Sequence, residues 1–528
     1  MSLKFSAASV LACALLAGWQ PSAVAQTERA ANPASPASQA ASATSSVSSQ
    51  QQALPPSVEA ALQRAKVPRE ALSAMVVELD APAKAATTTT RLAFRADEPA
   101  NPASVMKLIT TYAALDLLGP AFQWETPVYF DAQPQDGALR GNVYIQGGGD
   151  PQLVLERLWL TMRRLRAMGV TVIVGDIVLD RSAFDIATRD AAKFDGEPWR
   201  PYNVAPDALL INFKAMNMRF VPDAAAGVAR ISYEPPMGGM QLPATVPLAA
   251  AATACGDWQG GLKAELAEPG RISFLGSFPS SCGEREWAIA PADPDGYAAR
   301  AIEGMWRELG GKVTGTVRDG RVPAGLKPVF SNKSLSLAEV IRDINKYSNN
   351  VMTQQLFLTL GLQATGRGTW ESGRQAMNSW WRSRWPQLTP PVWENGAGLS
   401  REERVTARAL SGMLQTAWAS PQMPELLSSL PIVGVDGTMR RVNTVSAKGM
   451  AHLKTGTLRD VTALAGVVNS NSGKRYVLVG MINHPLAPNA RPALHALVDW
   501  VAQDTPAIPA TVATNHSVTG AGKTSARR

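Results

Sequence analysis

The sequence predicts an α+β protein of more than one domain, and three observations lead there. Its 528 residues exceed the ~100–200 of a typical domain. Helical and strand patterns share the stretches 57–118 and 296–501. Between about 132 and 290 the texture changes to short apolar runs separated by Gly, Pro and Asp turns, the mark of strand-rich structure.

Order is expected to begin near Ser57, a candidate N-cap for a helix over Val58–Ala65. Met75–Leu79 reads as a strand and Arg91–Arg95 as its hairpin partner. Pro102-Ala103-Ser104 opens a helix that Gly119-Pro120 ends. Its apolar positions, Val105, Leu108, Ile109, Tyr112, Leu115 and Leu118, predict burial. In this strand-rich stretch Asn142–Ile145, Val170–Val174 and Ile177–Asp180 read as strands, and helices return at Gly296–Leu309 and Ser336–Asn345. Val461–Val468 and Arg475–Ile482 flank a turn, Asn469–Gly473, and predict a hairpin. A closing helix covers Arg491–Val501. There is no internal repeat.

Both chain ends are low in complexity. Lys4, the apolar run Phe5–Trp19, Pro21 and the small residues Ala23-Val24-Ala25 read as a secretory signal cleaved after Ala25. An uncleaved anchor is the alternative, and the run is short for a bilayer core of ~30 Å. Cys13 lies in a loose lipoprotein-like context. Residues 26–55, almost entirely Ala, Ser, Gln, Pro and Thr, read as a disordered leader, and 503–528 as a disordered tail. Removal of the signal leaves Cys255 and Cys282. In an exported protein an even pair reads as a disulfide, with two buried thiols as the alternative.

Composition narrows the chemistry. With 45% hydrophobic and 18% charged residues, the chain is neither disordered throughout nor collagenous nor a coiled coil. One early apolar run does not make a polytopic membrane protein, leaving at most peripheral association. None of His452, His484, His495 and His516 falls in a metal-binding pair at helical spacing, which speaks against a zinc hydrolase. The net charge of +8 is spread out, and the densest cluster, Arg163-Arg164-Leu165-Arg166, reads as a solvated helix face rather than a nucleic-acid contact. Chemistry is left to Ser, Lys, Asp, Glu or Arg.

Three short patterns offer it. In Ser104-Val105-Met106-Lys107, at a helix start, the serine and lysine share a face. A serine is a weak nucleophile until a neighbour takes its proton, and a lysine whose pKa burial lowers can do so. Ser348-Asn349-Asn350 follows a helix and can project a Ser and an Asn from a loop into one cleft. Lys454-Thr455-Gly456-Thr457 continues an edge-strand pattern, Met450–Leu453. Gly456 there admits a second backbone, and the edge offers N–H and C=O groups to an extended peptide. Alone, the first reads as a buried helix-start serine beside a snorkelling lysine, the second as a polar turn, and the third as a tripeptide that chance can supply.

Together, in the order SxxK, SxN and KTG, they resemble the active site of the penicillin-binding proteins and serine β-lactamases. About 240 positions separate Lys107 from Ser348, far more than in class A β-lactamases. That layout resembles the low-molecular-mass D-alanyl-D-alanine carboxypeptidase/endopeptidases of the penicillin-binding protein 4 type. So do Tyr144–Pro151, Gly396–Arg401 and Leu430–Thr438. Glu394-Asn395 departs from the pattern, where an acidic residue is expected directly before Gly396, and reads as a turn requirement.

The resemblance implies an antiparallel sheet between helical layers with a helical lobe. That assigns 56–131 and 291–502 to a discontinuous transpeptidase-like catalytic domain and 132–290 to the insertion. It implies acyl transfer, in which Ser104 attacks a D-alanyl-D-alanine carbonyl, Lys107 takes its proton and water hydrolyses the ester. By the same resemblance the backbone N–H groups of Ser104 and Thr457 form the oxyanion hole. Ser348 relays a proton to the leaving group, and Asn350 orients Lys107 and the substrate amide. Lys454 and Thr455 hold the terminal carboxylate. Expected partners are peptidoglycan peptides and, as covalent inhibitors, β-lactams; neither metal nor cofactor is needed. A serine β-lactamase, or an envelope sensor that acylates without turnover, are the competing readings.

Overall fold

The computed structural model describes residues 53–79, 89–187, 190–442 and 444–504. The expected export signal lies outside the described residues, as do nearly all of the expected leader and tail. The described residues include the end of the expected leader and the start of the expected tail. Leu54 is buried in the core, and Asp504 accepts a hydrogen bond from the Tyr476 hydroxyl.

Three long apolar strands, Leu72–Glu78, Val461–Asn469 and Arg475–Asn483, are buried on both faces, as central strands covered by helices must be. They form an antiparallel sheet in the order 451–458, 461–469, 475–483, 72–78, 90–94. Both expected hairpin pairings are present, and Ala451–Leu458 is the edge strand. Successive side chains enter opposite layers. Met75, Val77, Ala463 and Val479 pack with the helix Met106–Leu118 and the lobe helices. Ala74, Val76, Leu464 and Leu478 pack with the helices Pro56–Arg64 and Arg491–Ala502. The first of these begins without the Ser57 cap: Pro55 occupies the cap position and Pro56 the first turn, where its missing N–H costs nothing.

The lobe contains four helices that periodicity did not reveal: Asn350–Thr365, Trp370–Arg384, Ala407–Trp418 and Met423–Ser429. Every residue from Asn350 to Gly361 is buried, so the first of them has no polar face to set a period.

Strand pairing in the insertion crosses both boundaries expected from the sequence. Glu125–Phe130 pairs with Val143–Gln146 and, from beyond 290, with Phe330–Lys333. Lys312–Val313 and Val317–Asp319 run parallel to Val172–Ile173 and Ile177–Asp180. The helix Tyr297–Glu308 buries Tyr297, Ile302 and Trp306 in the same core as Leu158, Leu165 and Ile177. Strands of two to six residues carry too little alternation to announce such distant partners. A separate sheet, 245–247, 228–234, 216–223 and 285–289, carries the Cys255–Cys282 disulfide beside Phe220, Trp258 and Phe278.

Candidate active site

The helix carrying Ser104 starts tightly. Ala103–Val105 is a single 3₁₀ turn leading into the α-helix Met106–Leu118. The Asn101 side-chain Oδ1 accepts from the Ala103 N–H at 2.8 Å while its Nδ2 donates to the Ser400 carbonyl at 2.9 Å. Ala103 itself is held at φ +45°, a sparsely populated conformation directly before the serine. Two chains cross this turn at contact distance. A Cβ on Gly456 would meet the Pro102 carbonyl oxygen at 2.4 Å, and one on Gly398 would meet the Ala103 carbonyl oxygen at 1.9 Å. Glycine at both positions is a steric necessity, and it brings the KTG strand alongside Ser104.

Lys107, one turn on, is completely buried. Its Nζ lies 3.0 Å from Ser104 Oγ, 2.7 Å from Asn350 Oδ1 and 2.5 Å from the Ala397 carbonyl. Burial pulls this ammonium down to about 7, against the opposing pull of the Glu403 carboxylate. A neutral lysine amine has two N–H donors and one lone pair. Asn350 Oδ1 and the Ala397 carbonyl are pure acceptors and take the two donors, so the lone pair is left facing the serine hydroxyl.

Glu403 escaped sequence analysis, and it shapes this side of the site. Its wholly buried carboxylate accepts from the backbone N–H groups of Glu394, Asn395, Gly396 and Gly398 at 2.7–3.1 Å. Burial pushes its pKa up, and those four donors oppose the rise. The Asn395 side chain adds a bond to the Ala397 N–H and another to the Leu399 carbonyl. The departure at Glu394-Asn395 is therefore a turn device that aims the Ala397 carbonyl at Lys107.

Across the cleft, Ser348 sits at φ +59° between the helices Leu337–Tyr347 and Asn350–Thr365. Asn350 is the first residue of the second helix rather than part of a loop, and its amide donates to the Tyr202 carbonyl at 3.1 Å. Lys454, expected to face a substrate carboxylate, is instead wholly buried. Its Nζ donates to Ser348 Oγ and to the Thr455 carbonyl, both at 2.8 Å. Burial, and secondly the charge of Lys107, hold it well below the ordinary lysine value. The segment Leu430–Thr438 braces this side: Asp436 pairs with Lys346 at 2.6 Å, and the hydroxyls of Thr438 and Thr455 are 2.8 Å apart.

Ser104, Ser348, Asn350 and Thr457 line one open cleft of about 930 Å³, with Tyr202 and Arg401 on its far wall. Lys107 and Lys454 lie beneath it, and Thr455, Gly456 and Thr457 also line an adjoining recess. The structure thus brings all eight residues of the three patterns together, while the disulfide belongs to the separate insertion sheet. Among the described residues no cluster of His, Cys, Asp or Glu is placed to hold a metal, and no helix is long and apolar enough to cross a membrane.

Fold and site together define a penicillin-recognising serine hydrolase. The chain belongs to the D-Ala-D-Ala carboxypeptidase 3 (S13) family, whose model matches residues 54–504. It is 28% identical over 393 residues to a D-alanyl-D-alanine carboxypeptidase of an Actinomadura species, covering 71% of each chain. It is 26% identical over 388 residues to the D-alanyl-D-alanine carboxypeptidase DacB of Haemophilus influenzae, covering 72% of this chain and 80% of that one. The crystal structure of penicillin binding protein 4 (dacB) from H. influenzae shares the fold, with a TM-score of 0.67 at 23% identity over 84% of this chain and 99% of that one. The H. influenzae protein has also been solved in complex with a novel β-lactam.

Proposed function

We propose that this protein is an exported D-alanyl-D-alanine carboxypeptidase and/or endopeptidase of the cell envelope, acting on peptidoglycan stem peptides and acylated by β-lactams. The observation that carries the reading is the Lys107 amine, desolvated and held by two acceptors with its remaining position 3.0 Å from Ser104 Oγ. Ser104 attacks the penultimate D-alanyl carbonyl and its proton passes to Lys107. The backbone N–H groups of Ser104 and Thr457 receive the oxyanion. The C–N bond then breaks, the leaving amine takes a proton through Ser348, and water releases the acid from the ester.

Lys454 serves this step from below, as the hydrogen-bond partner of Ser348. Thr455 and Thr457 present the edge strand to the substrate. The test is D-alanine release from a pentapeptide together with covalent labelling by a penicillin. Both are expected in the wild type and absent in Ser104→Ala. Labelling that survives in that variant moves the nucleophile elsewhere.

A further inference from the structure

The burial of Lys454 leaves a question of charge. A substrate with a free C-terminus carries a carboxylate next to the scissile bond, yet the lysine expected to meet it faces Ser348 and the Thr455 carbonyl. Burial costs an anion dearly unless a cation or several donors receive it.

The recess beside the cleft supplies both. It has a volume of about 290 Å³ and runs from Ser104 and Ser348 past the Thr455 side of the edge strand to the helix Arg491–Ala502. Thr455 pairs with Leu464 and Thr457 with Thr462, so these side chains stand on the sheet face that this helix covers. Thr438 and Thr455 share one hydrogen across their 2.8 Å contact, which leaves the second hydroxyl hydrogen free to donate. The recess ends at Arg491, the first residue of the helix. Arg491 is exposed, and among the described residues it has neither a carboxylate nor a hydrogen-bond partner.

We infer that Arg491 is the specificity-determining cation that, with the Thr438–Thr455 hydroxyl pair, receives the free carboxylate of the substrate's leaving residue. The inference rests on the acyl-transfer reading above and adds to it a division of labour. Lys454 acts on Ser348, while selection for a free carboxylate is exerted from the helix behind the strand. A guanidinium suits the task, because it stays charged at any working pH and presents paired donors to a carboxylate, whereas the buried lysine is a poor place to keep a charge.

The experiment measures kcat and KM on the full chain for a peptide ending in D-alanyl-D-alanine, as free acid and as C-terminal amide. Acylation rates with a penicillin and its carboxyl methyl ester form a second pair. In Arg491→Ala, kcat/KM for the free acid is expected to fall roughly tenfold to a hundredfold, mostly through KM, the range of one charge-assisted hydrogen bond. Activity toward the amide and the ester stays at the wild-type level, which also shows that the variant is folded. Arg491→Lys restores most of the preference. An acid-to-amide ratio unchanged in Arg491→Ala, or an equal loss on both substrates, overturns the inference while leaving the acyl-transfer reading intact. A wild type that neither turns over the peptide nor reacts with the penicillin overturns that reading, and this inference with it.

Discussion

Lys107 and Lys454 are both wholly buried and both reach a serine hydroxyl, at 3.0 Å and 2.8 Å, yet their surroundings differ in kind. Lys107 rises from a helix and has a buried carboxylate, Glu403, behind the turn that holds it. Lys454 rises from an edge strand, and the nearest charge that moves its pKa is the like charge of Lys107. A carboxylate nearby keeps the Lys107 pKa close to neutrality, where an amine can both take and return a proton. Lys454 has no such support: burial, and secondly the charge of Lys107, both disfavour its charged form. The same residue pair thus sits in two electrostatic environments, set by what lies behind the lysine and not by the serine in front of it.

The largest effect should come from breaking the first pair. Lys107→Arg keeps the charge but cannot give up a proton, so acylation by a penicillin should fall by orders of magnitude, read by the rate of adduct formation in mass spectrometry. A variant that acylates at near wild-type rate would remove Lys107 as the base.

Breaking the second pair should cost less. Lys454→Met leaves Ser104 and Lys107 in place and removes the donor to Ser348 and to the Thr455 carbonyl, so a loss of roughly 10²–10⁴-fold in kcat is expected, the usual range for assisted proton transfer. A loss as deep as that of Lys107→Arg would mean that Lys454, too, takes part in activating the nucleophile.

The pH profile sharpens the comparison further. With neutral Lys107 as the base in the proposed mechanism, kcat/KM should climb as pH rises through about 7. Glu403 favours the ammonium, so Glu403→Gln should lower the Lys107 pKa and move that limb to lower pH, whereas Glu403→Asp should leave it near its wild-type position. A limb that does not move in Glu403→Gln would reduce Glu403 to a brace for the turn.

The smallest effect on activity should come from the region remote from both lysines. Opening the Cys255–Cys282 bond, 27 positions apart, should lower stability by roughly 3–4 kcal/mol in the chain-entropy picture, seen as a fall in Tm or denaturation midpoint. D-alanine release at moderate temperature should persist. A parallel loss of activity would couple the insertion sheet to the cleft.

Much of this comparison was legible in the chain. Ser104 and Lys107 stand three apart at a helix start, and helical geometry alone puts them on one face. The hairpin across Asn469–Gly473 and the edge strand before Lys454 follow from local alternation and turn chemistry. Other parts left no local trace. Glu403 acts on backbone N–H groups, which every residue has, so no side-chain pattern marks its partners. The helix that begins with Asn350 is buried all round and so carries no amphipathic period.

The sequence by itself determined the three motifs and, outside the helical lobe, many of the segments that become strands or helices, because those depend on spacing and on neighbours a few residues away. Only the tertiary structure decided where each lysine points and how strands divide between the insertion and the catalytic part. Lys454 meets Ser348 across 106 positions, and Glu125–Phe130 finds Phe330–Lys333 across some two hundred. Burial, and with it the pKa of a lysine, is a sum over everything packed around a side chain, and that sum exists only once the chain has closed on itself.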